Sequence, residues 1–322
     1  MPTKYWRTPT EEFRARNVSV VIWANHLLRA SISAMQATAA RLRREDSLLN
    51  VEPQVAPLHE IFRLQGDQEL QEAESRYLPA ARAGALSAVV LAAGAGADFG
   101  GLTTSTPKAM LKVQGRPILA RLLDDLGHFG CRAVTVVRGH HAAAIDVPGA
   151  RFVDNAEFGT TSEAWSLALA ESELTPGTVV AFGDIVLKRH IIQALLEEAG
   201  EGITLAVDSG LAGADVPDRV RADRADSGRI SFAETRLQAI GDVSAATSHG
   251  AWIGLLHLGR DGAGWLREAI AAARKDDTLR AARLADLITH VVAAGRAVRV
   301  LYTRGGWVNV NNLADLLDAG GV

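Results

Sequence analysis

The sequence has a single cysteine, little net charge and no long apolar run among its 322 residues. Cys131 cannot form an internal disulfide, which favours a reducing compartment. The net charge of −3 includes no basic block, which argues against nucleic acid as the main partner. The longest apolar run, near residues 18–24, is too short to span a bilayer, and no signal peptide precedes the first charges. These absences predict a cytoplasmic protein without a membrane or nucleic-acid partner.

Apolar residues make up 48% of the chain, enough for a sizeable core, and the length suits two units. We predict a division near residue 80. Before it, Val18–Ala24 (VSVVIWA) has the length of one strand, and Leu27–Arg44 is a long amphipathic stretch. Shorter helical patterns follow at Leu58–Leu64 and Asp67–Tyr77. A lone strand leaves both of its edges unpaired, so this segment, residues 1–80, is expected to be part of a larger structure.

Strands and helices alternate in the second segment, residues 85–322. Ser87–Ala93 is continuously apolar, which is typical of a parallel strand buried on both faces. Further predicted strands are Ala133–Val137, Arg151–Val153, Thr178–Phe182 and Ile203–Val207, with helices at Pro117–Phe129, Thr161–Glu171 and Arg189–Glu198. The alternation predicts an α/β fold with a doubly wound, mostly parallel, Rossmann-like sheet. Ligands of such sheets bind at the carboxyl ends of strands, which directs attention to the residues after each strand.

The loop after the first of these strands reads LAAGAGADFGGLTTSTPK. Its small residues would let backbone N–H groups approach anionic oxygen, although for the glycines alone an ordinary flexible turn is the favoured explanation. Phe99 stands where the dinucleotide fingerprint needs glycine, and the loop has no Gly-Lys-Ser/Thr. Lys108 adds a fixed cation that could neutralise charge at a reacting phosphorus. We therefore predict a catalytic role for Lys108 and nucleotide binding by Ala92, Ala93, Gly94 and Gly96.

The whole string resembles the signature L-A-A-G-x-G-x-R…L-T…P-K of nucleotidyltransferases that act on sugar phosphates and other small molecules. The resemblance implies Mg²⁺-dependent transfer of a nucleotide from a nucleoside triphosphate. Asp98 stands where the family has an arginine, which would grip the β- and γ-phosphates. A carboxylate at that position would repel those phosphates and weaken binding. The resemblance also implies that Gly139, in the turn after the second strand, lies close to the nucleotide base.

Two later motifs predict the metal site. Phe182-Gly183-Asp184 ends a buried strand, where a carboxylate can hold Mg²⁺ against the α-phosphate; a solvated turn is the alternative. The sequence at 307–311, WVNVN, resembles the family's W-x-D-V-N, in which the aspartate is a second metal ligand. This resemblance assigns that role to Asn309, whose amide oxygen brings no charge.

Acceptor-binding residues come from another resemblance. Asn155, Glu163 and Ser166 match the N…T-x-E/N…S-L element that borders the acceptor in choline-phosphate and aminoethylphosphonate cytidylyltransferases. An alternative for Glu163 is a capping box with Thr160 at the start of the next helix.

Two further residues complete the predicted acceptor pocket. Asp208 follows a strand and could face the acceptor or cap the strand end. Trp252, within HGAWIGL at 249–255, matches an aromatic acceptor position of the family, although tryptophan is more often a core residue.

Residues 1–80 resemble the C-terminal end of phosphoenolpyruvate mutase, of the isocitrate lyase superfamily. The matching strings are PTKY at 2–5, VVIWANH at 20–26, LRAS at 28–31 and EIFRLQ at 60–65. The resemblance implies a remnant of a TIM-like barrel without the barrel's magnesium-binding and substrate-binding residues, so no mutase activity is expected. The chain resembles the end of a mutase–cytidylyltransferase fusion.

The fusion predicts transfer of CMP from CTP to a small phosphonate such as 2-aminoethylphosphonate, with release of pyrophosphate, in phosphonate biosynthesis. A nucleotide-binding pseudoenzyme is the alternative, because Asp98 and Asn309 both depart from the charges that the chemistry uses. A third alternative is the same nucleotidyl transfer with phosphocholine or a sugar phosphate as the acceptor. For macromolecular partners, the predictions are a homo-oligomer or association with the missing barrel portion.

Overall fold

The computed structural model describes residues 7–22, 25–57, 60, 64, 86–228 and 233–322. The chain divides into two compact units, Met1–Pro79 and Ala80–Val322. In the first unit, helix α1 spans Thr10–Ala15 and helix α2 spans His26–Glu45. Among the described residues, no helix combines the length and the apolar character needed to cross a membrane.

The first unit differs from its sequence-based prediction. Residues 18–22 form no strand, and residues 23 and 24 lie outside the described ranges. A strand needs a partner for its backbone groups, and the described part of this unit supplies none. Helix α2 has no buried residue, and Leu27 is 82% exposed. The helices predicted at Leu58–Leu64 and Asp67–Tyr77 fall outside the description apart from residues 60 and 64, which are helical. The barrel remnant therefore stays a prediction.

The second unit is built on a mixed sheet that has nine strands in the described residues. The strands of the unit are β1 Ser87–Ala92, β2 Lys112–Val113, β3 Arg116–Pro117, β4 Ala133–Arg138, β5 Ala150–Asp154, β6 Thr178–Phe182, β7 Ile185–Leu187, β8 Ile203–Asp208, β9 Arg219–Ala222, β10 Leu237–Gly241, β11 Gly250–Leu258, β12 Val298–Thr303 and β13 Trp307–Asn309. The helices are α3 Ile118–His128, α4 Glu163–Leu169, α5 Arg189–Glu197, α6 Gly262–Lys275, α7 Leu284–Ala293 and α8 Leu313–Asp318.

Strand order in the main sheet is β10-β9-β11-β6-β1-β4-β5, with β8 between β11 and β12. Strands β6, β1, β4 and β5 run parallel, as do β8 and β12. The long strand β11 is antiparallel to β6, β8 and β9. This mixed sheet, parallel across its centre and flanked by helices, confirms the predicted fold class.

The pleat of β1 explains how the sheet is covered on both faces. Val89 and Leu91 belong to the core that includes residues of α4, α6 and α7, whereas Ala88, Val90 and Ala92 belong to the core that includes residues of α3 and α5. Successive side chains of a strand point to opposite faces, so one apolar run serves both cores. With both faces covered, the strand ends remain available for a ligand.

A two-stranded sheet carries the last sequence motif to the end of β6. Strands β7 and β13 pair antiparallel, with Asn309 opposite Ile185. The N–H of Val310 donates to the carbonyl of Asp184 over 3.0 Å. This pairing places Asn309 beside Asp184 although the two are far apart in the sequence.

Buried His257 predicts a pH-dependent stability. It lies on β11 between Val179 and Thr204, is 7% exposed, and its Nδ1 has no hydrogen-bond partner. Burial lowers the pKa of His257, so the unfolded chain takes up a proton at a higher pH than the native protein does. Native stability is therefore lost as the pH falls through about 6.5, the ordinary histidine value.

We expect the His257→Leu variant to show a smaller fall in thermal midpoint than the wild type between about pH 8 and about pH 5.5. An exposed control, His128→Leu, is expected to keep the wild-type fall; an identical fall in all three proteins would contradict the prediction.

Candidate active site

A cavity of about 560 Å³ opens where several elements of the second unit end. Leu91, Ala93 and Gly94 line it at the end of β1, and Phe182 and Asp184 line it at the end of β6. The other residues of its wall are Lys108, Phe158, Thr161, Ser162, Glu163, Ser166, Pro217, Asp218, Arg283, Asn309 and Asn311. The cavity thus lies at the carboxyl ends of parallel strands, where ligands of open α/β sheets bind.

Lys108 is held at the cavity wall by two partners. Its Nζ lies 2.5 Å from Oδ2 of Asp184 and donates to Oδ1 of Asn311 over 2.7 Å. The lysine side chain is only 13% exposed and that of Asp184 23%. Gly96 permits this close packing, since a Cβ there would meet the Cβ of Lys108 at 3.1 Å and the residue has a φ of +65°. The structure therefore fixes the ammonium group between a carboxylate and an amide.

The predicted metal ligands present two unpaired oxygens. Oδ1 of Asp184 and Oδ1 of Asn309 are both buried without a hydrogen-bond partner, and both residues line the cavity. A buried acceptor without a donor is costly, and a cation would satisfy both oxygens. In the described part of the chain, no group of three or more His, Cys, Asp or Glu residues could hold a metal. Mg²⁺ commonly binds one or two carboxylates together with substrate phosphates and water, so these two residues fit such an ion.

The predicted nucleotide loop is only partly at the cavity surface. Ala93 and Gly94 line the cavity. Ala92 is buried against Gly183, and a Cβ on Gly183 would lie 2.8 Å from the Cβ of Ala92. Gly139 backs the loop: a Cβ on Gly139 would lie 2.6 Å from the carbonyl oxygen of Ala93. His140 N donates to the same oxygen over 3.1 Å. The turn after β4 thus braces the loop after β1.

Two histidines anchor the segment that contains Asp98. His140 Nε2 lies 2.9 Å from the carbonyl oxygen of Thr103, and His141 Nε2 lies 2.7 Å from that of Thr104. The backbone of Asp98 belongs to the 3-10 segment Ala97–Thr103, and its side chain lies outside what the structure describes. The predicted repulsion between Asp98 and the phosphates stays a prediction.

Among the predicted acceptor residues, Glu163 and Ser166 line the cavity and Asn155 lies behind it. Asn155 is 1% exposed, and its Nδ2 donates to Oγ of Ser166 over 3.0 Å and to Oγ1 of Thr161 over 3.1 Å. Its Oδ1 accepts from the N–H of Glu157 over 2.9 Å. The amide therefore orients two side chains of the cavity wall.

The capping-box alternative for Glu163 is wrong. Helix α4 begins at Glu163 with Ser162 as its N-cap, whereas a capping box needs the glutamate three residues after the cap. Thr160 donates instead to the carbonyl of Glu157. The chain before α4 is held by the Ser162 N–H, which donates to the carbonyl of Arg280 over 2.9 Å. The Glu163 carboxylate instead accepts a hydrogen bond from its own backbone N–H, and the residue contributes to the cavity wall.

Neither Asp208 nor Trp252 lines the cavity. Oδ1 of Asp208 accepts from Gly210 N, while Oδ2 accepts from Trp307 Nε1 at 2.7 Å and Gly305 N at 3.2 Å. Trp252 is 4% exposed and packs at 5.3 Å from Phe182, which does line the cavity. These contacts favour the structural alternatives for both residues, a strand-end cap and a core side chain, over acceptor binding.

Asp218 and Arg283 line the cavity without having been singled out from the sequence. Oδ1 of Asp218 is buried without a hydrogen bond and lies 3.7 Å from Nη1 of Arg283. Burial raises the pKa of Asp218, and the charge of Arg283 opposes that shift. Asp218 lies in a bend before the antiparallel strand β9, and Arg283 precedes a helix. The rule that locates ligands after parallel strands therefore predicts neither Asp218 nor Arg283 as a site residue.

Two comparisons concern parts of the chain. It is 53% identical over 78 residues to the phosphoenolpyruvate phosphomutase of Tetrahymena pyriformis, covering 24% of this chain and 26% of that protein. It is 34% identical over 116 residues to the CMP-5'-(3-aminopropyl)phosphonate synthase of Streptomyces rubellomurinus, covering 34% of this chain and 18% of that protein. The chain thus spans about a quarter of the length of the phosphomutase, and the phosphomutase match confirms the resemblance of the first segment.

The fold has relatives among solved structures. The CTP:phosphocholine cytidylyltransferase of Streptococcus pneumoniae matches with a TM-score of 0.59 and 20% identity, covering 73% of this chain and 98% of that one. At that identity the likeness establishes the fold. The model of a MobA-like NTP transferase domain matches residues 88–286, more than half of the sequence. Together with a cavity at the carboxyl ends of β1 and β6, this match shows that the chain belongs to the family of MobA-like NTP transferase domains.

Proposed function

We propose that this nucleotidyltransferase moves CMP from CTP to a small phosphonate and releases pyrophosphate. The observation that carries the proposal is the cluster of Lys108, Asp184 and Asn309, which brings a largely enclosed cation beside two unpaired buried oxygens in one cavity. Such a cluster suits a metal–polyphosphate complex. The synthase of Streptomyces rubellomurinus, whose name specifies a CMP-phosphonate product, supports the choice of CMP and of a phosphonate.

The chemistry requires little proton transfer. An oxygen of the phosphonate attacks the α-phosphorus of CTP, the new P–O bond forms, and the bond from the α-phosphorus to the bridging oxygen breaks as pyrophosphate leaves. The attacking oxygen is already anionic, so no side chain has to act as a general base. Catalysis then consists of positioning and charge neutralisation. Lys108 neutralises phosphate charge, and the backbone at Ala93 and Gly94 borders the nucleotide.

Asp184 serves two partners with separate oxygens. Its Oδ2 faces Lys108, whereas its Oδ1 is unpaired and available to a metal together with Oδ1 of Asn309. A bound Mg²⁺ would supply Lewis-acid stabilisation of charge on the α-phosphate. One carboxylate can therefore orient the catalytic lysine and hold the metal at the same time.

The first unit is proposed to have no mutase activity of its own. It matches about a quarter of the phosphomutase sequence, and the described part of α2 buries none of its side chains. We propose association with a mutase-type barrel or a second copy of the chain as the means of covering them. A cytoplasmic location is proposed on the single cysteine.

A nucleotide-binding pseudoenzyme is the second candidate, favoured by Asp98 and Asn309. The deciding experiment measures pyrophosphate release with Mg²⁺, CTP and 2-aminoethylphosphonate, against the same mixture without acceptor. Release that depends on the acceptor supports the transferase. If folded protein binds CTP in calorimetry but releases no pyrophosphate, the double variant Asp98→Arg, Asn309→Asp is assayed next. A large gain in pyrophosphate release indicates a weakened enzyme. No gain in pyrophosphate release indicates a binding protein. Phosphocholine and glucose 1-phosphate, assayed in parallel, test the other acceptors.

A further inference from the structure

The carboxylate of Asp208 binds two separate parts of the chain. Asp208 ends β8 and is 5% exposed. Its Oδ1 accepts from the N–H of Gly210 over 2.8 Å and so caps the short turn that follows the strand. Its Oδ2 accepts from Nε1 of Trp307 over 2.7 Å and from the N–H of Gly305 over 3.2 Å. A strand-end cap accounts for the first oxygen only, because Trp307 lies 99 residues further along the chain.

Trp307 is the first residue of β13, the strand that carries a predicted metal ligand. Strand β13 pairs with β7, with Trp307 opposite Leu187 and Asn309 opposite Ile185. Successive side chains of a strand point to opposite faces, so the indole of Trp307 and the amide of Asn309 leave β13 on the same face. Since a single residue separates the two, a shift of the indole would move the Asn309 side chain with it.

The chain that leads into β13 does not fix this strand by itself. The connection from β12 to β13 consists of Arg304, Gly305 and Gly306. The two glycines have φ of +59° and +74°, and glycine has more conformational freedom than any other residue. The carbonyl of Gly306 accepts from the N–H of Lys188 over 2.8 Å, and the N–H of Gly305 donates to Asp208. Contacts from outside the connection therefore set where β13 begins.

Asn309 depends on such contacts because its amide oxygen has no partner of its own. Oδ1 of Asn309 is buried without a hydrogen bond, so nothing orients that oxygen directly. The backbone holds the residue instead. After it, the N–H of Val310 donates to the carbonyl of Asp184 over 3.0 Å. Before it, Trp307 is bound by Asp208. The amide oxygen lies beside Asp184 because β13 is anchored on both sides of Asn309.

We propose that Asp208 is a positioning residue for the metal site. Its carboxylate anchors Trp307 and thereby places the amide oxygen of Asn309 beside Asp184. The inference rests on the proposed function, of which a metal at these two oxygens is a part. Asp208 does not line the cavity, so it acts through β13 without contact to nucleotide or metal. A carboxylate suits the position, because its two oxygens accept from three N–H groups and an asparagine side chain has a single acceptor oxygen.

Two variants remove the same contact from its two ends. In Asp208→Asn the amide NH₂ must face either Gly210 or Trp307, so one donor loses its acceptor. In Trp307→Phe the ring remains without Nε1, and Asp208 keeps its bonds to two backbone N–H groups. The matched control is Asp223→Asn, because Asp223 follows β9 and accepts from the N–H of Arg236 over 2.9 Å. Asp223 also lies outside the cavity wall.

Amide hydrogen exchange, followed by mass spectrometry on the full chain without metal or nucleotide, measures how firmly β13 is held. We expect peptides across residues 307–310 to exchange roughly 10-fold faster in Asp208→Asn and in Trp307→Phe than in the wild type, because a hydrogen bond to a carboxylate is lost. Peptides across β1 should be accelerated far less, and Asp223→Asn should match the wild type at 307–310. A role in the stability of the whole unit alone would accelerate β1 and β13 by the same factor.

Metal affinity tests the step from β13 to Asn309. The affinity for Mn²⁺, measured by electron paramagnetic resonance, should fall roughly 10-fold in Asp208→Asn and in Trp307→Phe. The loss should not exceed that of Asn309→Ala, because Asp208 acts through that amide oxygen. Asp208→Asn should therefore cause no further loss of Mn²⁺ affinity when Asn309→Ala is already present.

Unchanged exchange at 307–310 in both variants, or equal acceleration of β1, would overturn the proposal. So would a loss of Mn²⁺ affinity on Asp208→Asn that is as large in the Asn309→Ala background as in the wild type. A failure of the proposed function has a different signature. If β13 exchanges faster in both variants while the wild type binds no Mn²⁺, Asp208 anchors the strand as proposed and the metal site is rejected.

Discussion

The variant Lys108→Ala is expected to transfer CMP about 100- to 1000-fold more slowly than the wild type. The lysine side chain is almost enclosed, at 13% exposure, and its Nζ is held by Asp184 and Asn311 at 2.5 Å and 2.7 Å. A cation so placed neutralises phosphate charge without having to be reorganised during the reaction. The measurement is the steady-state rate of acceptor-dependent pyrophosphate release with saturating CTP and 2-aminoethylphosphonate.

Metal binding separates a loss of charge from a loss of structure. In Lys108→Ala, Oδ2 of Asp184 loses its cationic partner, and a divalent ion at Asp184 loses a positive neighbour. Mn²⁺, measured by electron paramagnetic resonance, should therefore bind the variant at least as tightly as it binds the wild type. The matched control is Lys112→Ala, because Lys112 is exposed on β2 and outside the cavity wall. A rate for Lys108→Ala equal to that of the control would show that Lys108 has no part in catalysis.

The central strands of the second unit were predictable from the sequence because strands buried on both faces need continuously apolar runs. Ser87–Ala92 and Thr178–Phe182 are continuously apolar, and strands buried on both faces need such runs. Parallel strands bring their carboxyl ends to one edge of the sheet, so Gly94 and Asp184 could be assigned to one site before any distance was known. The antiparallel strand β11 was not predicted as a strand, although every residue of Gly250–Leu258 is buried.

Contacts between distant loops could not be predicted in the same way. Asn311 accepts from Lys108 across the cavity, and Asp218 enters it from a bend with a φ of +50°. Asn311 ends the WVNVN motif, but the motif predicts no contact with Lys108, and nothing in the local sequence indicates Asp218, which does not follow a parallel strand. Asp208 is the opposite case, because it ends β8 as a site residue would. Its carboxylate is nevertheless fully occupied by Trp307 Nε1 and two backbone N–H groups.

The first unit shows where prediction of secondary structure from the local sequence pattern fails. Its VSVVIWA run has the composition of a strand, yet the described residues 18–22 are irregular. Strand propensity expresses fit to a neighbouring pleated strand, and the described part of this unit contains no such strand. The run therefore supports the resemblance to the phosphomutase in sequence without predicting the conformation of residues 18–22.

A second large effect is expected at Asp184. The variant Asp184→Asn should transfer CMP roughly 1000-fold more slowly than the wild type and should lose Mn²⁺ binding, because its side chain no longer carries the charge that an ion needs. Asn309 alone offers a neutral oxygen, which cannot replace the carboxylate. The substitution also leaves Lys108 without its ion-pair partner at 2.5 Å, so the lysine loses its fixed position as well. Both losses fall on the same reaction step.

The matched control for this variant is Asp154→Asn. Asp154 ends the parallel strand β5 much as Asp184 follows β6, but it pairs with Arg138 at 2.8 Å and does not line the cavity. We expect the control to keep its Mn²⁺ affinity and its rate of transfer. The variant Asn309→Asp should change in the other direction and bind Mn²⁺ more tightly than the wild type, because a second carboxylate then faces the ion. If Asp184→Asn kept its Mn²⁺ affinity while Asn309→Asp gained none, the two unpaired oxygens would not be metal ligands, and the cation that Asp184 serves would be Lys108 alone.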